Sequence, residues 1–181
     1  RRQRQMCIRD RIDTSYIFSD PKNPSGVALI TVDAHAENCI VVASGANANL
    51  LPSDLAKSEE AIEKADLILM QLEIPMDTVE FVAKMASKKN KRVILNPAPA
   101  QTLSATLLRH LYMITPNETE AEMISGVKIT DEVSAKKAAQ VIMEMGVQNV
   151  IVTLGSKGAL IYCDSMVDIC LLYTSDAADD I

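Results

Sequence analysis

Residues 114–122 read Ile-Thr-Pro-Asn-Glu-Thr-Glu-Ala-Glu, and this stretch decides how the rest of the chain is interpreted. It follows a short apolar segment, residues 111–114, which predicts a β-strand. Pro116 permits only a turn or a first helical position after that strand. The stretch therefore predicts a strand that leads into a helix beginning near Asn117.

Asn117 and Glu120 support two interpretations. Their spacing is that of a capping box, in which Asn117 accepts a hydrogen bond from a free backbone N–H and Glu120 reaches back to the cap. The carboxyl end of a strand feeding a helix N-terminus is also where doubly wound α/β proteins bind phosphate. Clustered carboxylates there could hold a divalent ion, directly or through water. The spacing alone leaves both interpretations open.

The two ends of the chain are predicted to be translated adapter DNA. Residues 1–10 read RRQRQMCIRD and residues 170–180 read CLLYTSDAADD, and one DNA strand and its reverse complement can encode the two strings. That DNA resembles the transposase adapter of sequencing libraries. Residues 1–11 and 170–181 are therefore excluded from the fold prediction. Residues 12–169 are expected to be an internal piece of a longer protein, truncated at both ends.

Composition narrows the classes of function. The net charge is −6, which disfavours nucleic acid as a partner because binding a phosphate backbone requires a basic patch. No apolar run approaches the roughly 18 residues of a membrane span, so the expected location is the cytoplasm, without a membrane partner. Outside the two ends, Cys39 and Cys163 are too few for a disulfide framework or a zinc site.

The first part of the remaining chain predicts a β-hairpin. Residues 27–32 and 39–43 are β-branched runs separated by a longer loop. Ala28 and Ile30 point to one side of the hairpin, and strand alternation allows Ile40 to share that side. Two strands alone would be marginally stable. The hairpin therefore needs a second sheet, another subunit or a missing part of the chain to cover it.

Beyond residue 50, helices and strands alternate. The helices are predicted at residues 52–64, 75–89, 104–110, from 117, and 131–145, and the strands at residues 66–70, 92–95, 111–114 and 149–153. This order predicts right-handed crossovers and a Rossmann-like α/β fold, a parallel sheet with helices on both faces. Residues 159–163 are expected to add an antiparallel strand.

Polar loops follow the carboxyl ends of the four predicted parallel strands, at residues 71–73, 96–99, 115–117 and 153–158. Open α/β sheets bind their ligands at this edge. Each loop also has a structural explanation: Glu73 could cap a helix, residues 96–97 could form a turn, and residues 155–158 a tight connection. Four such loops on one edge favour a binding site. Residues 155–158 do not form a P-loop, because they lack its glycine spacing and open no helix.

Several strings together resemble the PfkB-type family of sugar kinases, and the ribokinases within it. They are residues 26–30, 45–48, 70–73, 95–100, 114–122 and 153–158. The resemblance spans residues 12–169, and residues 114–122 are its most typical part. It implies that residues 12–47 form a partial lid made of the β-hairpin. Residues 48–169 would then form an incomplete core that binds nucleotide and sugar.

The resemblance also implies roles for the matching residues. Asn117 and Glu120 match an Asn-x-x-Glu motif that helps to place Mg²⁺ and the triphosphate of ATP, largely through water. Glu73 matches an acidic residue that bonds a sugar hydroxyl. The lid positions that lie against the sugar match Ala28, Ile30 and Ile40. The segment that holds ATP matches Thr153, Leu154, Gly155, Ser156, Lys157 and Gly158.

The expected activity belongs to the intact protein. The family's Gly-Ala-Gly-Asp motif, which carries the catalytic base, would lie beyond residue 169, so the 181-residue chain is expected to be inactive. The intact protein is expected to phosphorylate D-ribose to ribose 5-phosphate with ATP, Mg²⁺ and a monovalent cation such as K⁺, as a homodimer joined through the lid. One alternative is a kinase for fructose, deoxyribose or adenosine. A second alternative is a non-catalytic nucleotide-binding protein.

Overall fold

The computed structural model describes residues 12–32 and 38–171. The strands of this part are β1 (Val27–Val32), β2 (Asn38–Ala43), β3 (Leu67–Met70), β4 (Arg92–Leu95), β5 (Met113–Ile114), β6 (Asn149–Thr153), β7 (Ala159–Cys163) and β8 (Met166–Cys170). Its α-helices are α1 (Glu59–Lys64), α2 (Met76–Lys88), α3 (Ala105–Leu108), α4 (Glu118–Ser125) and α5 (Glu132–Glu144). Short 3-10 helices cover Gly45–Asn49, Pro52–Ser58 and Gly155–Lys157. None of the described helices has the length and apolar character needed to cross a membrane.

The predicted hairpin is confirmed by the antiparallel pairing of β1 with β2. Ile30 lies opposite Ile40, and Ala28 lies opposite Val42. Directly paired residues project to the same face of a sheet, so Ala28, Ile30 and Ile40 do share a face. Every residue of β1 is exposed. Residues 33–37, most of the predicted loop, lie outside the described residues.

The other six strands form one mixed sheet in the order β3-β4-β5-β6-β7-β8. Strands β3 to β6 are parallel, and β7 and β8 are antiparallel. This arrangement confirms the α/β class and the added antiparallel strand. The sequence prediction missed β8, because this strand becomes evident only through its pairing with β7, and its last residue, Cys170, was among those excluded. The structure instead pairs Cys170 with Ala159, so the fold includes residue 170.

Among the predicted helices, the one at residues 52–64 differs most from the structure. The chain forms a 3-10 helix over Pro52–Ser58 and becomes α-helical only at Glu59. Asp54 accepts a hydrogen bond from the backbone N–H of Leu51 at 2.8 Å, and such local bonds by Asp and Ser compete with α-helical geometry. The other predicted helices are confirmed, with ends that differ by one or two residues.

The core of the large sheet lies on one of its faces. The buried side chains of this face are those of Met70, Val93, Leu95, Ile114, Val150, Val152 and Leu160. They cluster with buried residues of α2, α3, α4 and α5, as expected when right-handed crossovers between adjacent parallel strands place their helices on the same side. On the opposite face Leu69 is 70% exposed. The described helices therefore form one of the two predicted layers.

Candidate functional site

The parallel strands bring the four predicted loops to one edge of the sheet. Strands β3, β4 and β5 end in register at Met70, Leu95 and Ile114. A parallel bridge joins Asn117 to Thr153, so two of the predicted site residues are direct neighbours. The loops that begin at this edge are residues 71–73, 96–99, 115–117 and 153–158.

Backbone hydrogen bonds hold these loops together in pairs. The N–H of Leu72 donates to the carbonyl of Ala98 at 2.9 Å, and the N–H of Thr153 donates to the carbonyl of Pro116 at 2.9 Å. Leu72 is buried, whereas the next residue, Glu73, is exposed. The first bond therefore fixes the backbone just before Glu73 and leaves its carboxylate free to contact a ligand.

Asn117 and Glu120 form the predicted capping box at the start of α4. The Asn117 side-chain oxygen accepts from the Glu120 N–H at 2.8 Å, and the Asn117 N–H donates to Glu120 Oε2 at 2.9 Å. Gly126 ends the helix in the left-handed conformation, with φ of 72°. Glu120 is only 5% exposed. The box therefore fixes a carboxylate at a helix N-terminus beside Thr153.

The same box limits how a metal ion could be held. Asn117 Oδ1 and Glu120 Oε2 each accept a backbone hydrogen bond, so Glu120 Oε1 is the oxygen of the pair that the capping box does not use. Mg²⁺ keeps several waters and uses one or two carboxylates of a protein, so contact through water fits this geometry. No group of three or more His, Cys, Asp or Glu side chains in the described ranges is arranged as a metal-binding cluster.

The segment from Thr153 to Gly158 is a closed loop with an exposed tip. The N–H of Leu154 donates to the carbonyl of Gly158 at 2.8 Å. A Cβ at Gly158 would lie 2.0 Å from the Cys170 carbonyl oxygen, and its φ is +95°, so this position requires glycine. Gly155 also has a positive φ, +56°, but a Cβ there would meet nothing within 4 Å. A ligand can therefore approach the backbone at Gly155.

A cavity of about 440 Å³ lies beside this loop, and its lining is acidic. Its charged residues are Glu118, Asp131, Glu132, Asp168 and Lys157. Hydrogen bonds from the Ser134 hydroxyl and then the Ser134 N–H lower the pKa of Asp131, with a small contribution from the charge of Lys157. These groups repel a bare triphosphate, so the exposed backbone near Gly155 is better suited to an anion.

A second cavity, of about 350 Å³, was not predicted from the sequence. It lies between Ile74, which follows Glu73, and the segment that connects the hairpin to the core, and Asp20 contributes to its wall. Hydrogen bonds from the Asn49 side chain, the Lys22 N–H and the Asn23 side chain lower the pKa of Asp20 to about 2. An available signal was the polar string Asp20-Pro21-Lys22-Asn23, which is typical of an Asx turn.

The predicted sugar-contacting residues are open to solvent. Ile30 is 62% exposed and Ile40 is 51% exposed, and Glu73 is exposed as well. No hydrogen bond within the described part of the chain joins Glu73 to the hairpin. The assignments of Ala28, Ile30, Ile40 and Glu73 to a sugar site therefore stay predictions.

The chain is similar to sugar kinases over most of its length. Residues 1–168 match the pfkB family carbohydrate kinase domain. The ribokinase of Haemophilus influenzae is 47% identical over 150 residues, covering 83% of this chain and 49% of that protein. The deoxyribokinase of Salmonella typhi is 37% identical over 150 residues, covering 82% of this chain and 49% of that protein.

A solved structure supports the same relationship. The fold matches that of Arabidopsis thaliana ribokinase complexed with ribose and ATP, with a TM-score of 0.81 and 25% identity, covering 90% of this chain and 53% of that chain. The chain spans about half the length of the curated relatives it matches. The family match over residues 1–168 and the shared fold lead to one conclusion: the chain belongs to the PfkB family of carbohydrate kinases.

Proposed function

We propose that the full-length protein containing this chain transfers the terminal phosphoryl group of ATP to the 5-hydroxyl of D-ribose, giving ADP and ribose 5-phosphate. The observation that carries the proposal is the convergence of four polar loops at one sheet edge in a PfkB-family chain. The choice of ribose is supported by the 47% identity to a ribokinase. The choice of ATP is supported by the similar fold of a ribokinase bound to ribose and ATP.

The chemistry is an in-line displacement. The sugar oxygen attacks the terminal phosphorus, the bond from that phosphorus to ADP breaks, and a carboxylate accepts the hydroxyl proton. We assign the carboxylate to a Gly-Ala-Gly-Asp motif in a part of the protein outside these 181 residues. When bound, Mg²⁺ would neutralise charge on the phosphates. A monovalent cation such as K⁺ is proposed on family resemblance alone.

The residues of this chain would bind and orient the two substrates. The backbone is fixed at Leu72, and the next residue, Glu73, is exposed. The Glu73 carboxylate can therefore accept hydrogen bonds from sugar hydroxyls. The carboxylate of Glu120 can orient metal-bound water at the helix N-terminus, while Asn117 keeps that helix capped. The exposed backbone at Gly155 can donate hydrogen bonds to a phosphate oxygen.

The hairpin would serve as lid and as subunit contact. Ala28, Ile30 and Ile40 would cover the sugar and exclude water from the transfer. On the other face Leu29 and Val41 pair directly, and they are 66% and 62% exposed. A second copy of the protein would cover that apolar face, giving a homodimer in the cytoplasm.

The substitution Leu29→Lys tests this dimer contact. In analytical ultracentrifugation, Leu29→Lys should convert the dimer to a monomer. A dimer retained at low micromolar concentration would reject this contact.

A charge-removing substitution tests the role of Glu120. Gln is accepted at this position of a capping box, so Glu120→Gln should preserve the helix while removing the negative charge. In full-length protein we expect kcat for ribose to fall at least about tenfold with little change in Tm. The measurement is ADP release in a coupled assay over a range of Mg²⁺ concentrations.

Ser104→Ala provides the matched control for that test. Ser104 caps α3 by accepting from the Leu107 N–H at 3.1 Å, and it is outside the four loops. Its loss should leave kcat within about twofold of the wild type while costing the ordinary free energy of a helix cap. Equal kcat in Glu120→Gln and wild type would remove Glu120 from the proposed site.

A panel of acceptors tests the sugar. The 37% identity to a deoxyribokinase makes 2-deoxyribose the second candidate, and fructose and adenosine complete the panel. We expect kcat/KM to be highest for ribose in full-length protein, with no turnover above a blank in the 181-residue chain. A higher kcat/KM for 2-deoxyribose would reassign the substrate. No turnover of any acceptor would favour a non-catalytic nucleotide-binding protein.

A further inference from the structure

The base of the hairpin is a compact segment that joins both of its strands. The chain leaves β2 and enters the 3-10 helix Gly45–Asn49. There the N–H of Ala46 donates to the carbonyl of Pro24, just before β1, at 2.8 Å. Gly45 has φ of +53°, and a Cβ at this position would lie 2.4 Å from the same carbonyl oxygen. The two ends of the hairpin are therefore held in direct contact.

One buried hydroxyl connects this base to the core. The side chain of Thr78 is completely buried, and its Oγ1 donates to the carbonyl of Leu50 at 2.7 Å. Leu50 is the residue that ends the 3-10 helix. Thr78 lies in the first turn of α2, five residues after Glu73. The bond therefore connects the hairpin base to α2, the helix that follows Glu73, the proposed sugar-binding residue.

The partner of this hydroxyl lies far away in the sequence. A threonine inside a helix commonly bonds a carbonyl of the preceding turn, but Thr78 lies in the first turn and bonds a carbonyl 28 residues earlier in the sequence. Side-chain packing at this position would be equally served by valine, which has the same shape without the hydroxyl. The presence of threonine is explained by the hydrogen bond to Leu50, because a buried hydroxyl without a partner is costly.

We propose that Thr78 is a positioning residue that holds the base of the hairpin against the Glu73 loop, and so sets the affinity for the sugar. Ile74 lines one cavity together with Ala46 and Asn47, which shows that the base and this loop face each other. The inference rests on the proposed function, because it takes the hairpin as a lid over a sugar bound at Glu73. A displaced base would move the lid residues Ile30 and Ile40 relative to Glu73.

The test compares three variants of the full-length protein. Thr78→Val removes the hydroxyl and keeps the shape, and Thr78→Ser restores a hydroxyl. Asn149→Leu is the matched control, because Asn149 makes the same kind of bond, from its side chain to the Tyr112 carbonyl at 2.9 Å. Asn149 is the first residue of β6, at the opposite end of that strand from Thr153. Hydrogen exchange of residues 46–50 and steady-state kinetics with ribose are measured for each variant.

For Thr78→Val we expect exchange of residues 46–50 to be about tenfold faster, and KM for ribose to rise about fivefold to tenfold. The kcat should change less than KM, since the loops at residues 115–117 and 153–158 are not connected to this bond. Thr78→Ser should restore the wild-type exchange rate and the wild-type KM. Asn149→Leu should change neither the exchange rate nor KM, although it should lower Tm about as much as Thr78→Val does. A KM in Thr78→Val equal to that of Asn149→Leu would overturn the proposal.

Failure of this inference can be told apart from failure of the proposed function. If the wild type turns over no sugar, the kinase assignment fails, and the sugar-affinity role of Thr78 falls with it. The exchange measurement would still show whether the Thr78 hydroxyl holds the hairpin base in place. Unchanged exchange of residues 46–50 in Thr78→Val would show that the hydroxyl does not hold the hairpin base. Faster exchange together with an unchanged KM would show that the base is anchored without any effect on the sugar.

Discussion

The hairpin and the large sheet are both built from largely apolar strands, yet only the sheet has a buried face. In the hairpin, Leu29 is 66% exposed and Ile30 is 62% exposed, although they point to opposite faces. In the sheet, Val93 and Val150 are completely buried under helices of the same chain. The same residue types are thus buried in the core in one region and exposed on the surface in the other. The difference lies in whether the chain itself supplies the cover.

The largest expected effect comes from truncating one side chain in each region. Leu95→Ala removes a completely buried side chain and should lower the free energy of unfolding by about 2–5 kcal/mol. Ile40→Ala, at a position 51% exposed, should change it by less than about 0.5 kcal/mol in this chain. Chemical denaturation followed by circular dichroism measures both values. Similar losses in the two variants would mean that the hairpin is covered in solution.

The loop at residues 153–158 offers a second contrast, between two glycines with positive φ. Gly158→Ala places a methyl group against the Cys170 backbone and should cost about 3 kcal/mol of unfolding free energy. Gly155→Ala meets open space and should cost about 1 kcal/mol, from the left-handed backbone conformation alone. Thermal unfolding of the two variants measures the difference. A Gly155→Ala loss as large as that of Gly158→Ala would show that the loop tip is packed against other groups.

A smaller effect is expected at the cap of α4. Asn117→Ala removes the acceptor for the Glu120 N–H and should cost about 1 kcal/mol of unfolding free energy. Asn117→Asp keeps an acceptor and should retain the wild-type Tm. In full-length protein, Asn117→Ala should also raise the Mg²⁺ concentration needed for half-maximal rate, because Glu120 loses its fixed position. An unchanged Mg²⁺ requirement would leave the capping box with a structural role only.

The sequence predicts the core strands and the cap because each has a strong local signal. Asn149–Thr153 is an apolar run with clear ends, and Asn117 with Glu120 has the capping spacing. The missed features depend on residues far apart in the sequence. The strand β8 becomes evident only through its pairing with β7. The bond from Thr78 to Leu50 joins segments 28 residues apart, and no spacing rule indicates such a pair.

The residues of the hairpin predict that it needs cover, but not which of its two faces is covered. Its alternating faces are both apolar, so the pattern gives no solvent side, unlike an ordinary half-buried strand. In the large sheet, by contrast, strands that begin with a polar residue continue with completely buried residues. Arg92 and Asn149 begin two strands whose next residues, Val93 and Val150, are completely buried. Burial is thus decided by which helices the topology places over a strand.

The smallest expected effect concerns Asp20, which ties the segment before the hairpin to the hairpin base. Its carboxylate accepts from the Asn49 side chain at 2.8 Å, and the pKa of Asp20 falls from 3.8 to about 2. A lowered folded pKa means that this contribution to stability is complete above about pH 4 and is lost as the pH falls through about 2. Carboxyl ¹³C NMR titration should therefore give a midpoint near 2.

The titration of Asp20 also sharpens the contrast between hairpin and core, because the largest cause of its lowered pKa is the bond to Asn49 in the hairpin base. Asn49→Ala removes the largest cause of the shift and should move the Asp20 midpoint upward, towards 3.8. Asp131 provides the internal reference, since its pKa is lowered by hydrogen bonds from Ser134 at the start of α5 and should not respond to Asn49→Ala. A midpoint for Asp20 in the unchanged protein no lower than in Asn49→Ala would mean that the Asp20–Asn49 bond does not persist in solution. The segment before the hairpin would then be free to move independently of its base.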